Sequence, residues 1–213
     1  LSASSAASDV YKRQDLDFSV IGSILNIPKV KLNDKDAFET FNSYRSSAWK
    51  IRGVDNPLRS LAKAGNNNLY AYRYDWDDHR RIIVADFKEL IGAAHATEIP
   101  LLTGNNKLVG DYGFLIYPRG FSKRYLSKNM MKFWTNFAKY GEPGKSSNSI
   151  EWQPYNGSDL SKSSYMVLDN RSNLMMSSDN FSFKSLVEDL YEESSVTELS
   201  LIHISEPTRL HTI

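Results

Sequence analysis

Apolar residues recur at helical spacing in three stretches of the chain. In residues 122–141 they share one face and leave lysines and asparagines on the opposite face, which predicts an amphipathic helix ending at Gly141. The apolar face consists of Leu126, Met130, Phe133, Trp134, Phe137 and Ala138. The same spacing predicts helices over residues 34–53, with Gly53 as the stop, and over residues 183–193.

Shorter patterns predict a further helix and three strands. In DNPLRSLAKAG, Asp55 or Asn56 can cap a helix that has Pro57 in its first turn. The aromatic-rich LYAYRYDW (residues 69–76) follows the turn cluster GNNN and predicts a strand, and residues 164–176 predict two strands around a turn. A strand followed by a crossover that contains helices favours an α/β fold. The predicted strands are too few to close a sheet, so we expect an incomplete one with long flanking helices.

The two ends of the chain can be encoded by one DNA word in opposite orientations. DVYKRQ (residues 9–14) can be read from GAT GTG TAT AAG AGA CAG, and the reverse complement, CTG TCT CTT ATA CAC ATC, encodes LSLIHI (residues 199–204). The word resembles the transposon end used in sequencing adapters, although codon choice alone could produce the match. We therefore expect residues 1–14 and 199–213 to be adapter-derived, and residues 15–198 to be a gene fragment.

Composition excludes several classes of partner. The formal net charge is +1, and 23 basic and 23 acidic residues remain once the charged residues of the two ends (Asp9, Lys12, Arg13, Glu206 and Arg209) are removed. This balance disfavours an electrostatic surface for nucleic acid or membrane. No stretch approaches the roughly 18 apolar residues of a membrane span. Cysteine is absent, so this fragment has no disulfide framework.

His95 is the main candidate for chemistry. It lies in GAAHATEIP (residues 92–100), where the small residues around it would let a substrate reach the edge of the ring. Imidazole titrates near neutrality and can accept and return a proton within one catalytic cycle. Taken alone, however, a loop histidine is more often structural or solvated.

His79 is the other histidine outside the two ends. In DWDDHRR it could join Asp75, Asp77 or Asp78 at a cation. The acids lack the glycine and the closing glutamate of a calcium loop, and a single histidine makes a poor zinc site. We therefore expect His79 to lie in a solvated or ion-paired loop.

Four motifs, in order, resemble the C-terminal part of type-B carboxylesterases, the cholinesterase-like α/β-hydrolases: LYAYRYDW, GAAHATEIPLLTGN, LSKNMMKFWTNFAKYGEPG and EWQPY. That family shows a strand close to V-Y-A-Y-R-F-D, a loop G-x-x-H-G-x-E-I-P-F-x-F-G, a helix ending in W-x-N-F-A-x-x-G-x-P, and a W-P-x-Y segment. The resemblance runs from about Tyr44 to Tyr155 and more loosely to Leu168. It implies that residues 15–198 are the C-terminal fragment of a carboxylesterase domain with an α/β-hydrolase fold.

The resemblance also implies roles for single residues. His95 stands where the family has the histidine of its catalytic triad, and Glu98 matches a glutamate that would support the histidine loop, unless it is only a surface carboxylate. Ala96 departs from the pattern, since many members carry glycine there, but it adds only a methyl group. A small-molecule ester is the implied substrate, with no cofactor and no metal.

The nucleophile and the acid of the triad have no match in the sequence. In α/β-hydrolases the triad runs in the order Ser, then Asp or Glu, then His. The motif G-x-S-x-G is absent, and the nearest approach, GFSKR at Gly120, lacks the second glycine and follows His95. Nothing in residues 15–55 matches the acid segment of the family. We expect both groups to lie upstream, so the polypeptide as written should be inactive.

Two other functions remain open from the sequence. One is a cholinesterase-like binding or adhesion domain that keeps the scaffold without the triad. The other is a small metal-binding protein in which His79 and residues 75–78 hold a divalent ion.

Overall fold

The computed structural model describes residues 18–24, 27–33, 35–110, 113–155, 163–179 and 182–192. The two ends that we expect to be adapter-derived, residues 1–14 and 199–213, lie outside the described residues. The strands of the described part are β1 (Phe18–Ile24), β2 (Ile27–Leu32), β3 (Tyr72–Tyr74), β4 (Arg81–Ile82), β5 (Ala85–Asp86), β6 (Ser163–Leu168) and β7 (Met175–Asp179). Its α-helices are α1 (Lys35–Lys50), α2 (Asn56–Lys63), α3 (Phe87–Ile91), α4 (Ile99–Thr103), α5 (Gly113–Ile116), α6 (Phe121–Tyr140) and α7 (Phe183–Glu192).

The parallel pairing of β3 with β6 confirms the α/β class. Tyr72 lies opposite Met166 in this pair, and β6 continues into an antiparallel pair with β7, so the strand order is β3–β6–β7. The crossover from β3 to β6 carries α3 to α6, because a chain that continues into a parallel strand must first return to the end of the sheet where the previous strand began. Both strands predicted within residues 164–176 are confirmed.

Strand β3 is shorter than the predicted strand over residues 69–76, but the backbone stays paired beyond its ends. The carbonyl of Ala71 accepts a hydrogen bond from the amide of Met166 at 2.9 Å, and the amide of Asp75 donates to the carbonyl of Leu168 at 3.1 Å. Among the described residues β3 has a partner on one edge only. The sheet is therefore incomplete in this part of the chain, as predicted.

Helix α1 does not stop at Gly53, so that prediction is wrong. A π-helical segment, Ile51–Asp55, joins α1 directly to α2, and the backbone of Asp55 is right-handed helical, with no side-chain cap. Burial holds this junction together. Ile51 packs with Ala48 of α1 and Leu186 of α7, and the buried carboxylate of Asp55 accepts a hydrogen bond from Lys50 Nζ at 2.8 Å. Tertiary contacts thus outweigh the weak helix-breaking tendency of one glycine.

Two antiparallel hairpins, β1–β2 and β4–β5, were not predicted from the sequence. The β4–β5 pair includes Arg81, which closes the polar run DDHRR. Residues 77–80 of that run have no regular secondary structure, and only its last residue belongs to a strand.

Helix α6 supplies much of the main core. It confirms the helix predicted over residues 122–141, including the end at Gly141, which adopts a left-handed conformation (φ 76°). The prediction of its faces is partly wrong. Phe137 and Ala138 are exposed, because the last turns of the helix extend past the core. Asn129 is fully buried, where its side chain donates to the carbonyl of Tyr125 at 2.9 Å and accepts from the amide of Ser147 at 2.7 Å. The core cluster comprises Trp76, Leu101, Tyr117, Tyr125, Leu126, Met130, Phe133, Trp152, Met166, Leu168 and Leu174.

Among the described residues, every helix is too short or too polar to cross a membrane.

Candidate functional site

His95 lies in the segment of residues 92–98, hereafter the histidine loop, which connects α3 to α4. The side chain of His95 is exposed. Gly92 starts the loop with φ 55° and ψ −148°, a conformation that favours glycine, and its amide closes α3 by donating to the carbonyl of Lys88 at 3.0 Å. Pro100 sits in the first turn of α4 and is buried, which fixes the end of the loop against the core.

The histidine loop is fixed near its end by two tyrosine hydroxyl groups. Tyr117 Oη donates to the carbonyl of Thr97 at 3.0 Å, and Tyr74 Oη donates to the same carbonyl at 3.4 Å. Within the loop, Thr97 Oγ1 donates to the carbonyl of Ala94 at 2.6 Å. These bonds hold the backbone on both sides of His95 while its ring stays open to solvent.

Ala96 adopts a left-handed backbone with φ 69°. From the sequence, alanine in place of the family's glycine adds only a methyl group. In the structure the backbone conformation at this position matters as well. A Cβ atom in this region crowds the following carbonyl and costs roughly 1–2 kcal/mol. The histidine loop is therefore strained immediately after its catalytic candidate.

Trp49 of α1 lies against the ring of His95. The two ring centroids are 5.1 Å apart with an interplanar angle of 48°, and Trp49 is 58% exposed. The sequence gave no reason to associate these residues, since 46 positions separate them.

A cavity of about 400 Å³ opens beside His95. It is lined by Val54, Tyr70, Ala71, Tyr72, Tyr74, Ala93, Ala94, His95 and Glu98. The three tyrosines alternate along β3 and the residues before it, a period-two pattern from which their common face could have been predicted.

Glu98 borders the cavity, but its carboxylate makes no hydrogen bond within the described part of the chain. Its main-chain carbonyl accepts from the amides of Leu101 and Leu102 at 3.0 and 2.9 Å, which starts α4. The carboxylate also acts electrostatically. Together with burial, which is the larger cause, it raises the pKa of Tyr72 and brings the pKa of Tyr117 to about 12. The support of the histidine loop by the Glu98 side chain stays a prediction.

His79 is buried rather than solvated, so the expectation for it is wrong. Its ring packs edge-on against Trp76 and Tyr117, with centroid distances of 4.9 and 5.2 Å. Nε2 lies 2.9 Å from the carbonyl of Gly92. Burial lowers the pKa of His79, and the carbonyls of Gly92 and Ile116 and the carboxylates of Asp77 and Asp78 offset part of that shift. The prediction failed because it relied on the polar residues next to His79 in the sequence. Those residues are partly exposed, whereas the imidazole of His79 is buried.

The metal-binding alternative finds no support in this geometry. The acids near His79 each bind another side chain: Asp75 binds Arg73, Asp77 binds Lys88, and Asp78 accepts a hydrogen bond from Ser122. In the described ranges, no group of three or more His, Asp or Glu side chains could hold a metal ion.

The ring of His95 is exposed at the cavity, and imidazole is a side chain that can exchange protons with a bound molecule. Within the described residues no hydrogen bond joins His95 to a hydroxyl or carboxylate group. Of the residues singled out in the sequence, His95 and Glu98 line the same cavity, whereas His79 lies behind the loop.

Known proteins resemble this chain over part of their own length. The human (Homo sapiens) bile salt-activated lipase is 31% identical over 98 residues, which cover 44% of this chain and 11% of the lipase. A solved PNB esterase shares 23% identity with a TM-score of 0.38, covering 57% of this chain and 21% of that one.

An esterase from the anaerobic Clostridium hathewayi, described as able to hydrolyse aliphatic aromatic polyesters, shares 19% identity with a TM-score of 0.46. That comparison covers 72% of this chain and 29% of the esterase. The chain therefore spans between about a tenth and a third of the length of these proteins. Residues 27–184, which contain both the partial α/β sheet and the histidine loop, match the carboxylesterase family, and the chain belongs to that family.

Proposed function

We propose that this chain is the histidine-bearing part of a carboxylic-ester hydrolase, with His95 as the proton shuttle of a serine triad. The observation that carries the proposal is the exposed imidazole on a fixed loop beside an open cavity of about 400 Å³. Membership of the carboxylesterase family supports ester hydrolysis as the reaction. The substrate class is a small-molecule carboxylic ester.

The proposed reaction has four proton transfers at His95, two in acylation and two in deacylation. A serine hydroxyl attacks the ester carbonyl while neutral His95 accepts its proton, and His95 then donates that proton to the departing alcohol. A water molecule next gives a proton to His95 and attacks the acyl-enzyme, and His95 returns that proton to the serine oxygen as the carboxylic acid leaves. A carboxylate holds the second nitrogen of the ring and stabilises the imidazolium in each step.

We also propose that the serine and the carboxylate belong to a part of the domain that this sequence does not include. The sequence has no G-x-S-x-G motif, and the chain spans only 11% of the lipase to which it is similar. In this proposal residues 15–198 are a C-terminal fragment, the two ends are adapter-derived, and the 213-residue polypeptide does not turn over esters.

The direct test measures hydrolysis of p-nitrophenyl acetate by the 213-residue chain. We expect a rate no higher than that of free imidazole at equal concentration, because His95 has no nucleophile to activate. Saturable turnover that disappears in His95→Ala would overturn the proposal that the fragment is inactive.

The second part of the test uses a longer polypeptide from the same gene that contains a G-x-S-x-G motif. We expect saturable turnover, with His95→Ala lowering kcat by about 10⁴-fold or more. Tyr140→Phe is the matched control, since Tyr140 is 72% exposed near the end of α6. A longer polypeptide that folds but shows no turnover would instead favour the binding-domain alternative.

A further inference from the structure

His79 is buried in a way that fixes the orientation of its ring. Its imidazole is 7% exposed and meets the rings of Trp76 and Tyr117 edge-on, at interplanar angles of 77° and 76°. Those two rings stack on each other at 6.0 Å with an angle of 3°. The imidazole therefore has little freedom to rotate, because aromatic neighbours contact it from two sides.

The hydrogen bond of His79 determines its tautomer. Nε2 lies 2.9 Å from the carbonyl oxygen of Gly92, which can only accept, so the proton must be on Nε2. Nδ1 is buried and makes no hydrogen bond of normal geometry to a described residue, although the carbonyl of Ile116 lies close enough to the ring to offset part of the lowering of its pKa. A neutral ring with its proton on Nε2 is the form that this site accommodates.

The acceptor of that hydrogen bond is the first residue of the histidine loop. Gly92 connects α3 to the loop, and Thr97, near the other end, is held by the hydroxyl groups of Tyr74 and Tyr117. Tyr117 thus contacts both fixing points, since its ring packs on His79 and its hydroxyl bonds Thr97. One aromatic cluster holds the loop on both sides of residue 95.

We propose that His79 is a positioning residue for His95, acting through the hydrogen bond from its Nε2–H group to the carbonyl of Gly92. This inference rests on the proposed function, because positioning matters only if His95 transfers protons. The bond itself can be tested without any hydrolysis, so the two proposals can fail separately.

The test compares two substitutions in the 213-residue chain. His79→Phe keeps an aromatic ring but removes the donor, whereas His79→Gln places an amide N–H close to the position of Nε2. We expect hydrogen exchange at the amides of Thr97 and Ile99, which bond within the loop, to accelerate about fivefold to tenfold in His79→Phe and to return towards the original rate in His79→Gln. Amides of α6 serve as the internal control and should not change.

A second measurement reports the position of the His95 ring. A histidine side chain in contact with an indole quenches its fluorescence, and the ring centroids of Trp49 and His95 are 5.1 Å apart, so the emission of Trp49 reports their contact. His95→Ala should make Trp49 brighter, and Trp49→Phe identifies which part of the total emission comes from Trp49. His79→Phe should weaken the quenching and His79→Gln should restore it.

Three results would overturn the proposal. One is loop exchange and Trp49 emission that do not change in His79→Phe, and another is equal acceleration of exchange in α6, which would indicate a general structural role. The third is a His79→Gln variant that behaves like His79→Phe. If the Phe variant does not fold, ¹⁵N NMR of the unmodified chain decides the question, since a His79 ring with its proton on Nδ1 would exclude the bond to Gly92.

Discussion

The region around His79 and the histidine loop around His95 are neighbours in space but opposite in character. His79 lies among acids and arginines in the sequence, yet its ring is buried against the edges of Trp76 and Tyr117. His95 lies among alanines, and its ring is exposed, 5.1 Å from the partly exposed indole of Trp49. Each imidazole therefore has a tryptophan beside it, one in the core and one at the surface.

This difference shows that the polarity of sequence neighbours is a poor guide to the environment of a single side chain. The acids near His79 bind other side chains, namely Arg73, Lys88 and Ser122, whereas the imidazole itself is buried. Burial without a partner for Nδ1 suits a residue that stays neutral and holds others in place. Exposure beside a cavity suits a residue that exchanges protons.

Removing the two tryptophans is the strongest way to test the comparison. Trp76→Ala should lower the free energy of unfolding by about 3–5 kcal/mol, because Trp76 is fully buried and also donates from Nε1 to Ser122 Oγ at 2.8 Å. Trp49→Ala should cost less than about 1 kcal/mol, since more than half of its surface is already exposed. Urea unfolding of both variants measures the difference. Equal losses would mean that the two regions are equally buried in solution.

Alkaline pH should affect the bond that connects the two regions. Burial, helped by Glu98, raises the pKa of Tyr117 to about 12, whereas an unfolded tyrosine ionises near 10. Between these values the unfolded chain releases a proton that the folded chain retains, so stability should fall as the pH rises from about 10 to 12.

Tyr117→Phe should remove the contribution of this residue to the decline. At neutral pH it should cost about 1 kcal/mol, because the hydroxyl no longer bonds the carbonyl of Thr97. Chemical unfolding at a series of pH values checks both effects. An unchanged slope in the variant would show that Tyr117 ionises as freely in the folded chain as in the unfolded one.

The smallest expected effect lies within the histidine loop itself. Ala96→Gly should stabilise the chain by about 0.5–1 kcal/mol, because glycine tolerates the left-handed backbone at φ 69°. Ala94→Gly is the matched control, since the φ of Ala94 is not positive, and it should cost about 0.4–1 kcal/mol through the entropy of the unfolded chain. Thermal unfolding of the two variants should therefore shift in opposite directions, and shifts of the same sign would argue against strain at residue 96.

Much of the fold followed from the sequence because it depends on local patterns. The periodicity of α6 and its end at Gly141, the β6–β7 pair and α7 are all confirmed, since each is encoded within about twenty consecutive residues. The errors fall where distant residues decide. The helix continues through Gly53 because Ile51 packs on Leu186 of α7 and Lys50 binds Asp179 of β7, contacts that no local pattern reveals.

The sequence by itself determined the α/β class, the carboxylesterase resemblance and the choice of His95 as the candidate residue, because short motifs and periodicities are written in adjacent positions. Only the tertiary structure showed that His79 is buried and bound to Gly92, that Tyr74 and Tyr117 hold Thr97, and that Trp49 lies against the ring of His95. These contacts join residues 13 to 46 positions apart. Their formation depends on how helices and strands pack, and packing is a property of the whole folded chain rather than of any segment.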